Sequence, residues 1–260
     1  MTSTEVKGLV IRTVDIKESD RLITIFTEEM GVVSALARGA RSLKSRQMAS
    51  TMQFCYGSFV LCKRGEHYWI KEASLIESFF GIRNSIEGLA LATYISEVLC
   101  DIAVTEPERD LLRLSLNSLY AISECKYSLD MIKAAFEIRA ASIIGFMPDV
   151  LACSRCGEKL GNFYFKIMDG SLVCYSCQQK AISQHDDEAT SSEFNQTVCI
   201  LTEGAKIALG YCIHSPLEKI FSFRISDEDM EVFSKAAEEY LINQLERSFK
   251  SLDFYKEVKR

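Results

Sequence analysis

The chain has 260 residues, of which 48% are hydrophobic and 25% are charged, a composition typical of a folded globular protein. Its net charge of −6 argues against nucleic-acid binding over the whole surface. The charge is uneven, since residues 1–80 carry 11 Lys and Arg against 9 Asp and Glu, whereas residues 181–260 carry 9 against 15. The acidic average therefore leaves room for a basic patch near the N-terminus.

The sequence predicts neither a secretory signal nor a membrane span. The opening MTSTEVKGLVIRT lacks the charged and apolar regions of a signal peptide. The most apolar run, IEGLALATYISEVLCDIAV, contains Glu97 and Asp101 and predicts an amphipathic helix. Ten cysteines without an export signal favour reduced thiols and a metal site over disulfides. We therefore expect a cytosolic protein that makes no membrane contact.

The first 80 residues alternate between apolar and polar side chains with a period of two. The EEMG segment predicts a tight hairpin loop between the second and third of the resulting strands. A set of five such short strands favours a small closed barrel of the OB type, although an SH3-like barrel fits the strand count nearly as well. The predicted strands are residues 6–14, 21–27, 32–38, 56–63 and 67–75.

From about residue 83 the hydrophobic period changes to that of a helix. Thr105 is the predicted N-cap of the second helix, with Pro107 in its first turn. Ser226 and Asp229 predict a capped start for the last helix. The polar segment 184–193 predicts a mobile connection. The predicted helices are residues 86–104, 108–124, 129–144, 203–212 and 227–251.

Two Cys-x-x-Cys pairs, separated by 17 residues, predict a four-cysteine metal site at Cys153, Cys156, Cys174 and Cys177. The residues between the pairs predict a two-stranded hairpin that turns at 169–170, as in a zinc ribbon. Four thiolates close the coordination shell, which favours a structural metal over a catalytic one. The spacing does not distinguish zinc from iron. The remaining cysteines are predicted to be small core residues: Cys55, Cys62, Cys100, Cys125, Cys199 and Cys212.

The segment RGARSLKSR at residues 38–46 carries four cations and no acidic residue. Cations on a loop suit contact with phosphates, and a solvated loop without a partner is the alternative. Aromatic residues near two further cations favour a surface for single-stranded nucleic acid on an OB barrel: Phe54, Tyr56, Tyr68 and Trp69. The predicted DNA-binding residues are Arg38, Arg41, Lys44, Arg46, Lys63 and Arg64.

The stretch KESDRLITIFTEEMGVVSALARGARSLKSR resembles the opening of RecO, a family of bacterial recombination mediators. The segment FEIRAASIIGFMPDV, the Cys-x-x-Cys-Gly motif and the ending RSFKSLDFYKEV follow in the order of that family, so the resemblance covers nearly the whole chain. The matching motifs in the opening are Glu18-Ser19-Asp20, Thr27 to Gly31, Gly39-Ala40-Arg41 and Lys44-Ser45-Arg46.

The resemblance implies an α+β architecture without enzymatic turnover. It implies an N-terminal OB-fold barrel at 1–80, a helical domain at 81–150 and 181–260, and a zinc-finger insert at 151–180 that holds structural Zn²⁺. It also implies binding of single- and double-stranded DNA, annealing of complementary strands, and cooperation with RecR to load RecA onto strands coated by single-strand-binding protein. The C-terminal tail of that protein docks on the helical domain in this family, and Arg139 is a candidate anchor for its carboxylates. The implied location is the bacterial cytoplasm, at the nucleoid.

Two other functional classes remain as hypotheses. A protein-interaction scaffold would use the zinc ribbon, around the hairpin tip at 166–170, as its docking surface, and DNA contact would be incidental. The acidic excess in residues 181–260 favours this reading weakly. A metalloenzyme would need an open coordination position or a convergent acid and base, and the sequence has no Walker loop, nucleophile elbow or His-rich cluster.

Overall fold

A computed structural model describes residues 3–65, 67–103, 106–183 and 198–259. The chain forms two compact units. The first consists of Met1–Lys126 together with Phe249–Arg260, and the second of Tyr127–Ser248. The division into a barrel at 1–80, a helical domain at 81–150 and 181–260, and an insert at 151–180 remains a prediction. It follows the type of secondary structure, whereas the two compact units follow packing.

The first unit begins with a closed five-stranded barrel of order β1-β2-β3-β5-β4. β1 pairs with both β2 and β4, and β3 runs parallel to β5 where Ala35 lies beside Tyr68. This is the strand arrangement of an OB-fold, which confirms the OB barrel and excludes the SH3-like alternative. The strands are β1 (Ser3–Ile16), β2 (Asp20–Thr27), β3 (Gly31–Ala37), β4 (Tyr56–Arg64) and β5 (His67–Glu77).

Inward-facing apolar side chains fill the barrel, as strand alternation requires. Val10, Ile25, Phe59 and Leu61 are all fully buried in this core. The β2–β3 hairpin lies where the sequence predicted it, since the Thr27 hydroxyl donates to the Gly31 carbonyl (2.9 Å) and Gly31 adopts φ of 61°. A positive φ at this turn is the conformation that glycine tolerates without a steric cost.

Three helices complete the first unit: α1 (Ile86–Ile102), α2 (Arg109–Glu124) and α7 (Lys250–Val258). The Ser85 hydroxyl caps α1 by accepting from the amide of Gly88 (2.9 Å). α2 begins after Pro107, so the expectation that this proline lies in the first turn is wrong, and Thr105 lies outside the described residues. In the described ranges, no helix combines the length and the apolar character needed to cross a bilayer.

The single helix predicted at 227–251 is two helices in the structure. α6 (Asp227–Leu245) ends at Glu246, which adopts a left-handed φ of 50°, and α7 starts four residues later. The Ser226 cap is confirmed, since its hydroxyl accepts from the amide of Asp229 (3.1 Å). α7 packs on α1, where Glu97 accepts from the amide of Ser251 (3.1 Å).

The second unit combines helices with a four-stranded sheet of order β6-β8-β7-β9. The predicted hairpin is present as antiparallel β7 and β8, with a turn that ends at Gly170 (φ 62°). The segment 184–193, predicted to be a mobile connection, lies outside the described residues. The elements are α3 (Leu129–Ile143), β6 (Asp149–Cys153), β7 (Phe163–Lys166), β8 (Ser171–Cys174), α4 (Tyr175–Ser183), β9 (Val198–Leu201), α5 (Glu203–His214) and α6.

A buried ion cluster joins α3 to α6. The ammonium group of Lys133 lies 3.1 Å from a carboxylate oxygen of Glu137 and 2.9 Å from one of Glu238. The side chains of Lys133 and Glu137 are only 3% and 0% exposed. Such a cluster holds two helices in one register, because removing any member leaves an uncompensated buried charge.

The expectation that all six remaining cysteines lie in the core is wrong for two of them. Cys55, Cys199 and Cys212 are buried, and Cys62 is half-buried, but Cys100 and Cys125 are exposed. Both exposed cysteines lie at the ends of amphipathic helices, where an apolar pattern does not fix which face a residue occupies.

Candidate nucleic-acid interface and metal centre

The basic segment of the barrel is fixed by the turn between β1 and β2. The Asp20 carboxylate accepts from the amide of Gly39 (2.8 Å), and the Ser19 carbonyl accepts from the amide of Arg41 (3.0 Å). The Glu-Ser-Asp and Gly-Ala-Arg motifs, which are about 20 residues apart in sequence, therefore contact each other. Their shared role is to set the path of the loop that follows β3.

Arg41 faces this turn. Its Nε lies 3.2 Å from Oδ2 of Asp15, and one guanidinium nitrogen donates to the carbonyls of Lys17 (3.1 Å) and Glu18 (3.3 Å). The guanidinium is thus already hydrogen-bonded within the barrel. Arg41 orders the loop, and this role distinguishes it from the other predicted cations.

Lys44 and Arg46 are exposed on the same loop. One residue beyond Arg46, the side-chain amide nitrogen Nε2 of Gln47 donates to the carbonyl of Lys71 on β5 (3.0 Å). This bond ties the loop to the strand that carries Trp69. The loop cations and the β5 side chains therefore belong to one connected region of the barrel.

Trp69 and its neighbours form an open pocket of about 400 Å³, which we call the Trp69 pocket. The guanidinium carbon of Arg38 lies 3.8 Å from the centre of the Trp69 ring, and that of Arg64 lies 5.5 Å from it. These are distances at which a cation is attracted to an aromatic face. The lining residues are Ser3, Arg38, Cys62, Arg64, Trp69, Ile70 and Lys71.

Strand register explains why these side chains meet. Trp69 lies opposite Cys62 on β4 and beside Leu36 on β3. Side chains two residues apart on a strand share a face, so Arg64 follows Cys62, Arg38 follows Leu36 and Lys71 follows Trp69. Three strands thereby bring three cations to one aromatic ring. Lys71 was not among the predicted site residues, and only the pairing across strands reveals it.

The other three aromatic residues named beside the cations serve the barrel itself. Phe54 is buried, and Tyr68 packs against the barrel core with the Lys63 ammonium 5.7 Å from its ring centre. Tyr56 donates a hydrogen bond to the Glu28 carboxylate. Burial and then this hydrogen bond raise the pKa of Tyr56. Of these aromatic residues, Trp69 alone lines the open pocket.

The cations of this region have no acidic partners among the described residues. No carboxylate oxygen in that part of the chain lies within 4.0 Å of a charged nitrogen of the six cations that remain when Arg41 is set aside. Uncompensated positive charge on an exposed surface attracts anions, above all closely spaced phosphates. The six are Arg38, Lys44, Arg46, Lys63, Arg64 and Lys71.

The four predicted metal-ligating cysteines meet at one point. Cys153 is the last residue of β6, and Cys156 lies in the turn that follows β6. Cys174 is the last residue of β8, and Cys177 lies in the first turn of α4. Their sulfur atoms all lie within 4.8 Å of one another, and those of Cys156 and Cys174 are 3.6 Å apart. A tetrahedral zinc ion with Zn–S bonds of about 2.3 Å spaces its sulfurs by about 3.8 Å, so this set fits such an ion.

Backbone amides favour a thiolate at this centre. The sulfur of Cys153 accepts from the amides of Cys174 (3.3 Å) and Arg155 (3.4 Å). Burial raises the pKa of the Cys153 thiol, but hydrogen bonds from the amides of Cys174, Arg155 and Cys156 and from the Cys156 thiol together outweigh burial and lower the pKa to about 6. Thiolates are the form that binds soft divalent metals. When bound, the metal would cross-link β6, β8 and α4.

The ribbon hairpin is docked on the helices of its own unit. Gln244 on α6 donates to the carbonyls of Ile167 (3.0 Å) and Met168 (3.2 Å), and the ring of Tyr240 lies 5.3 Å from that of Phe165. On α5, the ammonium of Lys206 lies 4.1 Å from the ring centre of Phe163. The hairpin thus forms part of the packing of the second unit.

Arg139, the predicted anchor for a partner, makes an internal contact. Its guanidinium donates to the carbonyls of Cys212 (3.2 Å), Ile213 and Ser215 (2.6 Å). These groups lie at the C-terminal end of α5, where carbonyls lack helical partners and the helix dipole favours a cation. Local sequence patterns could not predict this contact, because its partners are more than 70 residues away.

These features define a class of protein: an OB-fold barrel joined to a helical part that carries a four-cysteine ribbon. The family sequence model "Recombination protein O N terminal" matches residues 1–79, and "Recombination protein O C terminal" matches residues 83–253. The chain therefore belongs to the recombination protein O family, which confirms the resemblance described above.

Similar proteins are found among clostridia and bacilli. The chain is 35% identical to DNA repair protein RecO of Acetivibrio thermocellus over 262 residues, which cover 100% of this chain and 99% of that protein. It is 32% identical to the protein of the same name from Clostridium kluyveri over 224 residues, covering 85% and 86%. With that from Bacillus pumilus it shares 33% identity over 176 residues, covering 67% and 68%.

Proposed function

We propose that this chain is a DNA-binding recombination mediator that acts by binding and not by catalytic turnover. The observation that carries the proposal is the cluster of cations around the Trp69 pocket of an OB barrel, which have no ion-pair partner in the part of the chain that the structure describes. Membership of the recombination protein O family and similarity to proteins named DNA repair protein RecO support it. The four-thiol centre supports a structural metal, since such a shell leaves no open position for a substrate.

The barrel would bind DNA mainly through its phosphates. Each cation that neutralises a phosphate releases condensed counterions, so binding is steeply salt-dependent and indifferent to sequence. We propose that the contacts come from Arg38, Lys44, Arg46, Lys63, Arg64 and Lys71, and that Arg41 contributes by ordering the loop. Phosphate contacts of this kind are available to both single- and double-stranded DNA, and they permit annealing because they screen the repulsion between two strands.

The wider pathway role follows from the family. We propose that the chain acts in the cytoplasm at the nucleoid, cooperates with RecR, and helps to load RecA onto strands coated by single-strand-binding protein. The acidic C-terminal tail of that protein would dock on the second unit. Arg139 remains the predicted anchor for the tail, but its hydrogen bonds to the end of α5 favour a role in shaping that surface.

A zinc-ribbon scaffold is the second candidate. It would use the hairpin tip at 166–170, where Met168 is 56% exposed. However, Gln244 binds two carbonyls of this tip, and Gly170 packs against Tyr240. Because α6 already covers most of the tip, the scaffold reading has less support than the DNA-binding one.

The test is a salt titration of binding to a labelled single-stranded oligonucleotide, followed by fluorescence anisotropy. One variant replaces Lys44, Arg46 and Arg64 with Ala. The matched control replaces three exposed cations of the second unit with Ala: Lys219, Arg224 and Lys235. Both variants change the net charge equally, so a difference between them reports position and not total charge.

We expect the slope of log K against log salt to fall by about 2 in the barrel variant, because each lost contact to a single strand removes about 0.7. The control should keep the slope of the unmodified protein. Equal loss in both variants, or no binding by any of them, would refute the barrel as the DNA interface and favour the scaffold.

A further inference from the structure

Trp69 has a property that phosphate binding does not use. It is a large aromatic side chain that stays partly exposed on a strand whose next residue, Ile70, packs in the core. Among the described residues, no second aromatic ring packs against it, and its contacts are guanidinium groups. Exposed aromatic surface that is held rigid by cations is poised for a planar partner.

We infer that Trp69 is a stacking platform for one unpaired base, and that the Trp69 pocket thereby selects single-stranded over double-stranded DNA. This inference rests on the proposed DNA-binding function and adds the part of the ligand that the barrel recognises. The base replaces the Arg38 guanidinium against the indole ring, and the displaced Arg38, together with Arg64 and Lys71, contacts the phosphates on either side. The site reads no sequence, because every base has a π-face.

The argument for a single strand is geometric. In a duplex both faces of each base are covered by neighbouring base pairs, so a base reaches an aromatic side chain only when it is unpaired and unstacked. A pocket of about 400 Å³ is in the range of sites for one small-molecule-sized group. The cations alone would bind single- and double-stranded DNA. Stacking on the indole ring increases the affinity for single-stranded DNA only.

Arg38 has two roles in this arrangement. Without DNA, its guanidinium carbon is 3.8 Å from the Trp69 ring centre, so it stacks on the indole and keeps the ring in one orientation until a base takes its place. Guanidinium N–H donors lie in the plane of the group, so they point past the edge of the ring and remain available to phosphate oxygens. A Lys at this position would keep the charge but lose the stack.

The chain contains one tryptophan, so tryptophan fluorescence, excited selectively over that of tyrosine, reports on the Trp69 pocket alone. The experiment uses the full chain with three unlabelled ligands of equal length: a thymidine oligonucleotide, the same backbone with abasic residues, and a blunt duplex. Anisotropy of labelled copies measures binding of each ligand in parallel. We expect the thymidine strand to quench Trp69 fluorescence, whereas the abasic strand and the duplex bind without comparable quenching.

Two variants extend the test to affinity. Trp69→Leu should weaken binding of the thymidine strand by 5- to 150-fold, the equivalent of about 1–3 kcal/mol per stacked base, and should change duplex binding by less than about twofold. Trp69→Phe keeps an aromatic face and should retain most of the affinity. This conservative variant separates loss of stacking from a general disturbance of the barrel.

The outcomes distinguish this inference from the function on which it rests. If anisotropy shows binding but Trp69 fluorescence is unchanged, or if the abasic strand quenches as strongly as the thymidine strand, base stacking is refuted and the phosphate-binding proposal stands. Equal losses for single strand and duplex in Trp69→Leu would also refute it. If anisotropy shows no binding of any ligand, the proposed function fails and the inference fails with it.

Discussion

Arg41 and Asp15 form an ion pair, with Nε of the arginine 3.2 Å from Oδ2 of the aspartate. The other oxygen of the same carboxylate lies 3.0 Å from Nε of Arg21. Asp15 thus connects β1, the start of β2 and the loop after β3. Lys44 carries the same charge only three residues beyond Arg41 but is exposed and has no such partner among the described residues. These two cations of the same basic segment therefore have different roles.

We expect Arg41→Ala to lower the free energy of unfolding by about 1–2 kcal/mol, since it removes a solvent-screened ion pair and hydrogen bonds to two carbonyls. Lys44→Ala should stay within about 0.5 kcal/mol of the unmodified protein but reduce the salt slope of DNA binding by about 0.7. Urea unfolding and salt titration of the two variants measure this contrast. The assignment of Arg41 to loop ordering would be wrong if Arg41→Ala were as stable as Lys44→Ala and reduced the salt slope of DNA binding by the same amount.

Removing the metal should unfold part of the second unit, because the free energy of binding a structural metal is also folding free energy. A strong chelator is expected to lower the melting temperature and to increase proteolysis within residues 127–248. Metal analysis should give about one ion per chain, and it would identify the ion as zinc or iron.

A matched pair of cysteine variants provides the control for this prediction. Cys177→Ser removes a ligand of the four-thiol centre and should lower the metal content and the melting temperature together. Cys100→Ser changes an exposed thiol outside the centre and should leave both values unchanged. An unchanged melting temperature in the chelated protein would contradict a structural role for the metal.

Lys133→Met should destabilise the second unit by about 3–5 kcal/mol, because it leaves the carboxylates of Glu137 and Glu238 buried without their cation. Replacing Glu137 with Leu in the same chain should recover part of the loss, since one of the two uncompensated charges is removed. Urea unfolding monitored by far-UV circular dichroism measures both steps. Additive losses in the double variant would show that the three groups do not act as a unit.

The ion cluster of Lys133, Glu137 and Glu238 also predicts that the stability of the second unit falls at alkaline pH. Burial lowers the pKa of Lys133, but attraction to Glu137 and Glu238 outweighs it and raises the pKa above its ordinary value. A raised pKa in the folded state gives stability that is complete below the unfolded value, about 10.4, and is lost as pH rises through the folded value. Lys133→Arg, which does not titrate in this range, should lose less stability above that pH. Identical alkaline unfolding of the two proteins would contradict the cluster.

Arg139→Ala should weaken the second unit itself, by about 2 kcal/mol, because charged hydrogen bonds to the last carbonyls of α5 are lost. The exposed cation Arg224 offers a control, and Arg224→Ala should have little effect on stability. Unfolding of both variants should be measured before any binding of acidic tail peptides is compared. If Arg139→Ala kept full stability and lost only peptide binding, the residue would be a partner anchor and not a helix cap.

The sequence predicted those features that repeat over short distances. Alternation located the five barrel strands, and the cysteine spacing located all four thiols. β6 and β9 were missed because four or five residues are too few to establish a period, and neither belongs to a hairpin with a turn signal such as the one that identified β7 and β8. The break between α6 and α7 was missed because the left-handed residue is Glu246, where glycine is the usual signal.

Partners that are distant in sequence could not be predicted from local patterns. Arg38, Arg41 and Arg139 look alike in the sequence, as cations in or near apolar segments. In the structure they meet an indole ring, a carboxylate and the end of a helix, respectively. Which partner each one meets depends on strand register and helix packing, and these are properties of the whole chain.

The first unit is made from both ends of the sequence, with the second unit inserted between Lys126 and Phe249. During synthesis the barrel emerges from the ribosome early, but the helix that packs on α1 emerges only after the entire second unit. Until then the α1 surface around Tyr94, whose ring lies 5.7 Å from that of Phe249 in the folded chain, lacks the contact that Phe249 makes. A chain that stops before Phe249 would therefore lack part of the packing of the first unit, so the stability of the N-terminal unit depends on residues that follow the whole second unit.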